Sequence, residues 1–107
     1  MIYSSYGETV FLEGKKFTLG ERIIATDSDY AGLKGQIFEI RTGSDKETEN
    51  ETDDIYCSFD IPEKKEEIKL LEEHFSQLYG EKKTIDDISL DLVIMAPDEI
   101  RRLSANE

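Results

Sequence analysis

The residues able to do chemistry in this chain are mostly carboxylates, and their spacing decides what they can do. Asp27-Ser-Asp29-Tyr-Ala-Gly32 opens like a calcium loop, with acids at positions one and three and glycine at six. A hard cation needs a fixed cage of oxygens, usually closed by a bidentate glutamate at position twelve. Here position five is Ala31 and position twelve is Phe38, so the stretch reads as an Asx-type loop entering a glycine turn. Asp45, Glu47, Glu49, Glu51 and Asp53 alternate and would share one face of a strand, but nothing in their sequence supplies a rigid turn. Asp86, Asp87 and Asp91 have no apolar setting that would split their pKa values for acid–base work.

The nucleophile candidates are equally bare. Cys57 falls among apolar positions and reads as a small buried thiol, whereas reactive thiols need exposure and positive surroundings. His74 is the only histidine and reads as a partly buried structural residue at the edge of a helix face. One histidine without a serine or cysteine partner makes neither a triad nor a metal site. The chain is therefore expected to be no enzyme, with no cofactor and no metal. The side chains with binding potential are tyrosines. Tyr30 lies in the loop before a glycine turn, and Tyr56 points away from the apolar face of its strand. Tyrosines among acids receive arginine or lysine through cation–π and ion-pair contacts.

Charge narrows the partner. The net charge is −12, with 25 acids against 13 bases among 107 residues. Residues 1–41 are near neutral, and the acidity sits in 44–54 and in the C-terminal half. A field of this sign repels phosphate backbones and favours basic partners. A single cysteine forms no intrachain disulfide, which fits a reducing cytoplasm. The first residues lack the basic start and apolar run of a signal peptide, and no apolar stretch approaches the ~20 residues that cross a bilayer.

The elements that position these residues follow from periodicity. A length of 107 residues gives one domain, 1–107. Thr9-Val-Phe-Leu12 and Lys16-Phe-Thr-Leu19 around Glu13-Gly14-Lys15 predict a hairpin. Arg22-Ile-Ile-Ala-Thr26 and Gln36-Ile-Phe-Glu-Ile-Arg41 are strands on either side of a polar loop. Residues 44–54 hold no apolar side chain and read as a flexible, solvated acidic loop. Ile55, Cys57, Phe59 and Ile61 alternate with polar residues and predict a half-buried strand. Pro62 opens a helix over 62–79, with Ile68, Leu71, Phe75 and Leu78 on one face and Gly80 as its stop. Thr84 caps one helical turn in the connector that follows. A long strand over 88–95, with Ile88, Leu90, Leu92 and Ile94 on one side, and a short terminal helix over 97–103 complete the pattern.

Gly20, Arg22-Ile-Ile24, Tyr30-Ala-Gly-Leu-Lys-Gly35 and Ile37-Phe-Glu-Ile40 together resemble the KOW motif, the opening strand–loop–strand of SH3-like barrels. The resemblance covers residues 20–41 and implies turn roles for Gly32 and Gly35, by positive φ or by close backbone approach. It also implies contact with nucleic acid or protein through barrel loops. Lys34 is the only base between Arg22 and Arg41, however, whereas nucleic-acid-binding versions resemble basic patches. The expectation is an α+β domain: a small SH3-like antiparallel barrel of about five to six strands with the amphipathic helix packed across it. Its expected role is a non-catalytic module binding a basic protein or peptide through Tyr30 and Tyr56. The alternatives are a nucleic-acid-associated KOW-like domain, or an acidic DNA mimic or accessory protein of a bacterial mobile element.

Overall fold

The computed structural model describes residues 1–104. Eight strands and one helix follow in the order β1 (Ile2–Tyr3), β2 (Thr9–Leu12), β3 (Lys15–Thr18), β4 (Arg22–Ala25), β5 (Lys34–Arg41), β6 (Asp54–Phe59), α1 (Lys65–Tyr79), β7 (Val93–Met95) and β8 (Ile100–Arg102). Six strands form one antiparallel sheet in the order β7-β6-β5-β4-β8, with β1 added along the end of β5, and β2 and β3 form a separate ribbon. The fold is thus α+β, as expected. The ends of the sheet order, β7 and β8, do not pair with each other, so the sheet does not close into a barrel.

The hairpin forms as its sequence dictates. Glu13 and Gly14 both take positive φ, 53° and 79°. That is the primed two-residue turn whose twist matches the strands it joins. Val10, Leu12 and Phe17 are buried beneath the ribbon.

β5 is the spine of the sheet. Its register against β6 slips between Ile37 and Glu39, so Phe38 is an extra residue in the ladder. The bulge lets Ile37 and Ile40, three positions apart, both reach the core. β6 lies between β5 and β7 and is covered on both faces at its start, where Asp54, Ile55, Tyr56 and Cys57 are all buried. The half-buried strand expected at 55–61 therefore ends at Phe59, and Ile61 is exposed.

Three boundaries move, each because tertiary pairing overrides local preference. α1 starts at Lys65 rather than at Pro62, since the chain must run extended from the sheet edge to the helix; Lys64 still has φ −84° and ψ 133°. Gly80 ends the helix in the left-handed region, as expected. The long strand over 88–95 shrinks to Val93–Met95. Ile88 and Leu90 are buried, but a bend at Asp91–Leu92 turns Leu92 outward and brings Val93 and Met95 inward. The terminal helix over 97–103 is one 3-10 turn, Pro97–Glu99, followed by β8. β8 pairs with β4, placing Ala25 opposite Ile100, and so satisfies the backbone edge of β4.

The helix meets the sheet through few side chains. Phe75 is its only buried residue, and Leu71 packs partly against the core. Leu70, Leu78 and Tyr79 are exposed, so Leu78 does not join the buried face expected of it. No helix among the described residues is long and apolar enough to cross a membrane.

Candidate functional site

Tyr30 occupies the gap between α1 and the sheet. Its ring stacks on Phe59 of β6 at 5.7 Å and meets Phe75 of α1 at 5.4 Å. Burial raises its hydroxyl pKa, helped by the nearby Tyr79 and Asp29. The loop that carries it is set by its own short-range bonds. Ser28 donates its N–H to Asp27 Oδ1 at 2.7 Å, one residue on rather than the two of the Asx turn expected, Tyr30 donates its N–H to Ser28 Oγ at 3.3 Å, and Gly32 turns at φ 92°. His74 Nε2 lies 3.1 Å from Asp29 Oδ1, tying helix and loop together across 45 residues of sequence. His74 is half exposed rather than partly buried, and its ring packs edge-on against Phe75. Asp29 is thereby occupied by His74, not by the start of a calcium cage. Among the described residues no cluster of three or more histidine, cysteine or acidic side chains is placed to hold a metal.

Between this loop and the helix lies an open groove of about 330 Å³, which Tyr30 itself does not line. One wall is Ser28, Asp29, Ala31, Gly32 and Leu33; the other is Pro62 with Glu67, Leu70, Leu71 and His74 of α1. Its floor is apolar, its rim carries Asp29 and Glu67, and no lysine or arginine lines it. Leu70 is 65 % exposed here. Sequence reasoning overlooked this groove. Its signal was the first leucine of Leu70-Leu71: the helical stripe uses Leu71, and Leu70 lies off it.

Tyr56 lies elsewhere and is closed off. It is 2 % exposed, so it does not present a surface as expected. The reason is in β5 and the acidic loop. Arg41 lies over its ring at 4.9 Å, with Nε on Glu39 at 2.7 Å and a terminal nitrogen on Glu47 at 3.0 Å. The arginine expected from a partner is supplied by the chain itself. Phe38 adds an edge contact at 6.1 Å. Tyr56 Oη makes no hydrogen bond of normal geometry among the described residues, and burial, followed by the close Glu47 carboxylate, pushes its pKa up to about 12.

The acidic loop is tied back to the sheet at several points. Asp54, at its end, is buried and accepts the N–H groups of Glu47 at 2.9 Å and Thr48 at 3.0 Å, with the Thr48 hydroxyl as a third donor. Burial alone would raise the Asp54 pKa, but these three bonds outweigh it and hold the carboxyl below its ordinary value. Asp45 pairs with the N-terminal amine at 2.7 Å, and a 3-10 turn spans Gly43–Asp45. Residues 44–54 thus fold back as a latch over Arg41 and Tyr56.

The other candidates keep structural roles. Cys57 is fully buried, and burial pushes its thiol up to about 12, far from reactive. Asp87 accepts the Thr84 N–H at 3.0 Å and the Thr84 hydroxyl at 3.1 Å, capping the 3-10 turn Ile85–Asp87, and its pKa is lowered by those bonds. Asp86 and Asp91 are exposed. Gly35 is not a turn residue but part of β5, where its missing side chain admits β6. No protein-family model, curated protein or solved structure matches the chain.

Proposed function

We propose that the chain is a non-catalytic interaction module that takes a basic segment of a protein partner in the groove between α1 and residues 28–33. The observation that carries this reading is Leu70, 65 % exposed beside an apolar hollow rimmed by Asp29 and Glu67, on a chain of net charge −12. An apolar side chain of the partner would enter against Leu70, Leu71 and Leu33, and flanking lysines or arginines would meet the rim. Burying one leucine-sized side chain is worth roughly 1.5–3 kcal/mol. Each exposed ion pair adds about 0–1 kcal/mol. Such binding is weak, selective and salt-dependent.

Nucleic acid fits less well. Arg22, Arg41 and Arg102 are held by Asp60, by Glu39 with Glu47, and by Glu21 respectively. Phosphates would have to displace these carboxylates. The KOW likeness of residues 20–41 and an SH3-like origin of the sheet belong to the same proposal. They are supported by the order β4, left-handed turn at Gly32, β5.

The test is a titration with a fluorescent peptide holding leucine between lysines and arginines. Binding should weaken with salt and be lost in Leu70→Asp. Equal binding of a glutamate-substituted peptide, or indifference to Leu70→Asp, would overturn the reading.

A further inference from the structure

His74 and Asp29 both line the groove, one from α1 and one from the loop. The imidazole Nε2 lies 3.1 Å from Asp29 Oδ1, and the two side chains are 52 % and 47 % exposed. The ring also packs edge-on against Phe75, with centroids 5.6 Å apart. The contact is therefore held in place from the helix side, yet open to water and to a bound partner. Asp29 and Glu67 are the two acids of the groove, and no lysine or arginine lines it. A basic segment entering the groove brings its cations to these same two carboxylates. His74 and the partner thus compete for Asp29.

The outcome of that competition depends on one proton. Histidine is the side chain whose charge ordinarily changes between about pH 5 and 8, and the chain has no other histidine. A neutral ring shares a hydrogen bond with Asp29 and leaves the carboxylate its charge. An imidazolium pairs with that charge, cancels it, and adds a cation to the rim. The other ionisable groups around the ring are Glu67 across the groove, and Tyr30 and Tyr79, which pack on Phe75. Glu73, next in sequence, lines a different hollow of α1 with Lys69. Carboxyl and phenol groups ordinarily titrate near about 4 and about 10, and burial raises the Tyr30 hydroxyl further. The proton that alters the groove between these limits is that of His74.

We infer that His74 is an internal competitor of the partner: protonated, it holds Asp29 and weakens the groove for a basic segment; neutral, it gives Asp29 up. This rests on the proposed function and names its regulation. The effect is modest, because both groups are half exposed and ion pairs of that kind are weak; affinity should change about threefold to tenfold. Reciprocity requires that a bound basic segment in turn drives the proton from His74.

Titration of the leucine–lysine–arginine peptide at about pH 8 and about pH 5.5 tests this, since lysine and arginine keep their charge throughout. The native chain should bind about threefold to tenfold more tightly at the higher pH. Calorimetry in two buffers of different ionisation enthalpy should register proton release on binding between these limits. In His74→Gln, an exposed change whose folding circular dichroism checks, both the pH ratio and the proton release should vanish. A peptide with serines in place of its lysines and arginines should show no pH ratio. A ratio that survives in His74→Gln, or that the serine peptide shares, overturns the inference. A double-mutant cycle of His74→Gln and Asp29→Asn in urea needs no ligand. Its coupling should be larger at the lower pH than at the higher, and absence of coupling at the lower pH overturns the inference. If the native chain binds the charged peptide equally at both pH values, the regulation is wrong and the proposed function stands. If it binds at neither, both are wrong.

Discussion

Gly35 of β5 and Phe59 of β6 are ladder partners in contact so close that a methyl group on Gly35 would stand 2.8 Å from the Phe59 Cα and 2.2 Å from the Ser58 carbonyl oxygen. Both obstacles are backbone, so neither can swing aside. The closeness matters for the groove, because Phe59 is the ring on which Tyr30 stacks and Tyr30 carries Phe75.

Gly35 and Gly32 should therefore fail differently when substituted. Gly35→Ala forces two strands apart and is expected to cost about 2–4 kcal/mol, within the range of severe packing defects. At Gly32 a side chain would meet nothing within 4 Å, but φ is 92°. Gly32→Ala should cost roughly 1 kcal/mol through backbone strain alone. Urea unfolding of the two variants measures the contrast. Equal losses would mean that the Gly35 contact yields.

Asp54 should latch the acidic loop only while it is charged. Its carboxyl lies below its ordinary pKa, so the stabilisation is present above the unfolded value near 3.8 and is lost as pH falls through the lower folded value. The protection of the Glu47 and Thr48 amides against exchange, relative to the free-chain rate, should fall at acid pH before global unfolding. Asp54→Asn should abolish that pH step and cost about 1–3 kcal/mol.

The alkaline side is set by Tyr56 and Cys57, whose pKa values are both raised to about 12, from 10.0 and 9.0. Raised values mean stability is complete below pH 9 and falls as pH climbs from 9 towards 12, since the unfolded chain releases these protons first. Ultraviolet titration should show one tyrosine that resists ionisation until near pH 12. Tyr56→Phe should remove that phase and leave stability within about 1 kcal/mol or improve it, because the lost hydroxyl makes no hydrogen bond of normal geometry among the described residues. Cys57 should react with a thiol reagent only after denaturation.

Phe75→Ala should undock the helix. Phe75 is the one buried side chain of α1, and its loss is expected to cost about 3–5 kcal/mol. The near-ultraviolet dichroism of Tyr30 should fall with it, and groove binding should be lost. His74→Ala removes an exposed contact and should change stability by about 1 kcal/mol or less.

Much of the fold was legible in the chain. The hairpin turn at Glu13-Gly14, the amphipathic helix with its stop at Gly80, and the left-handed Gly32 all follow from residue types whose preferences are local. The bulge in β5 was also written, in the spacing of Ile37 and Ile40, which period-two reading passes over. The site was less legible. Gly32 lines the groove, whereas Tyr30 does not: its ring packs between Phe59 and Phe75. Nothing in the composition of 44–54 reveals that Asp54 would gather three donors and close a loop over Tyr56.

The sequence by itself determined the acidic charge and the elements whose signals lie within a few residues. Tertiary structure alone decided what those elements face. It turned the end of the chain into β8, because β4 had an unpaired edge. It turned Tyr56 inward under Arg41, because β6 became a central strand. And it brought Asp29 to His74, leaving Leu70 exposed beside them. These outcomes depend on backbone hydrogen bonds and packing between segments far apart in sequence, and no local preference encodes them.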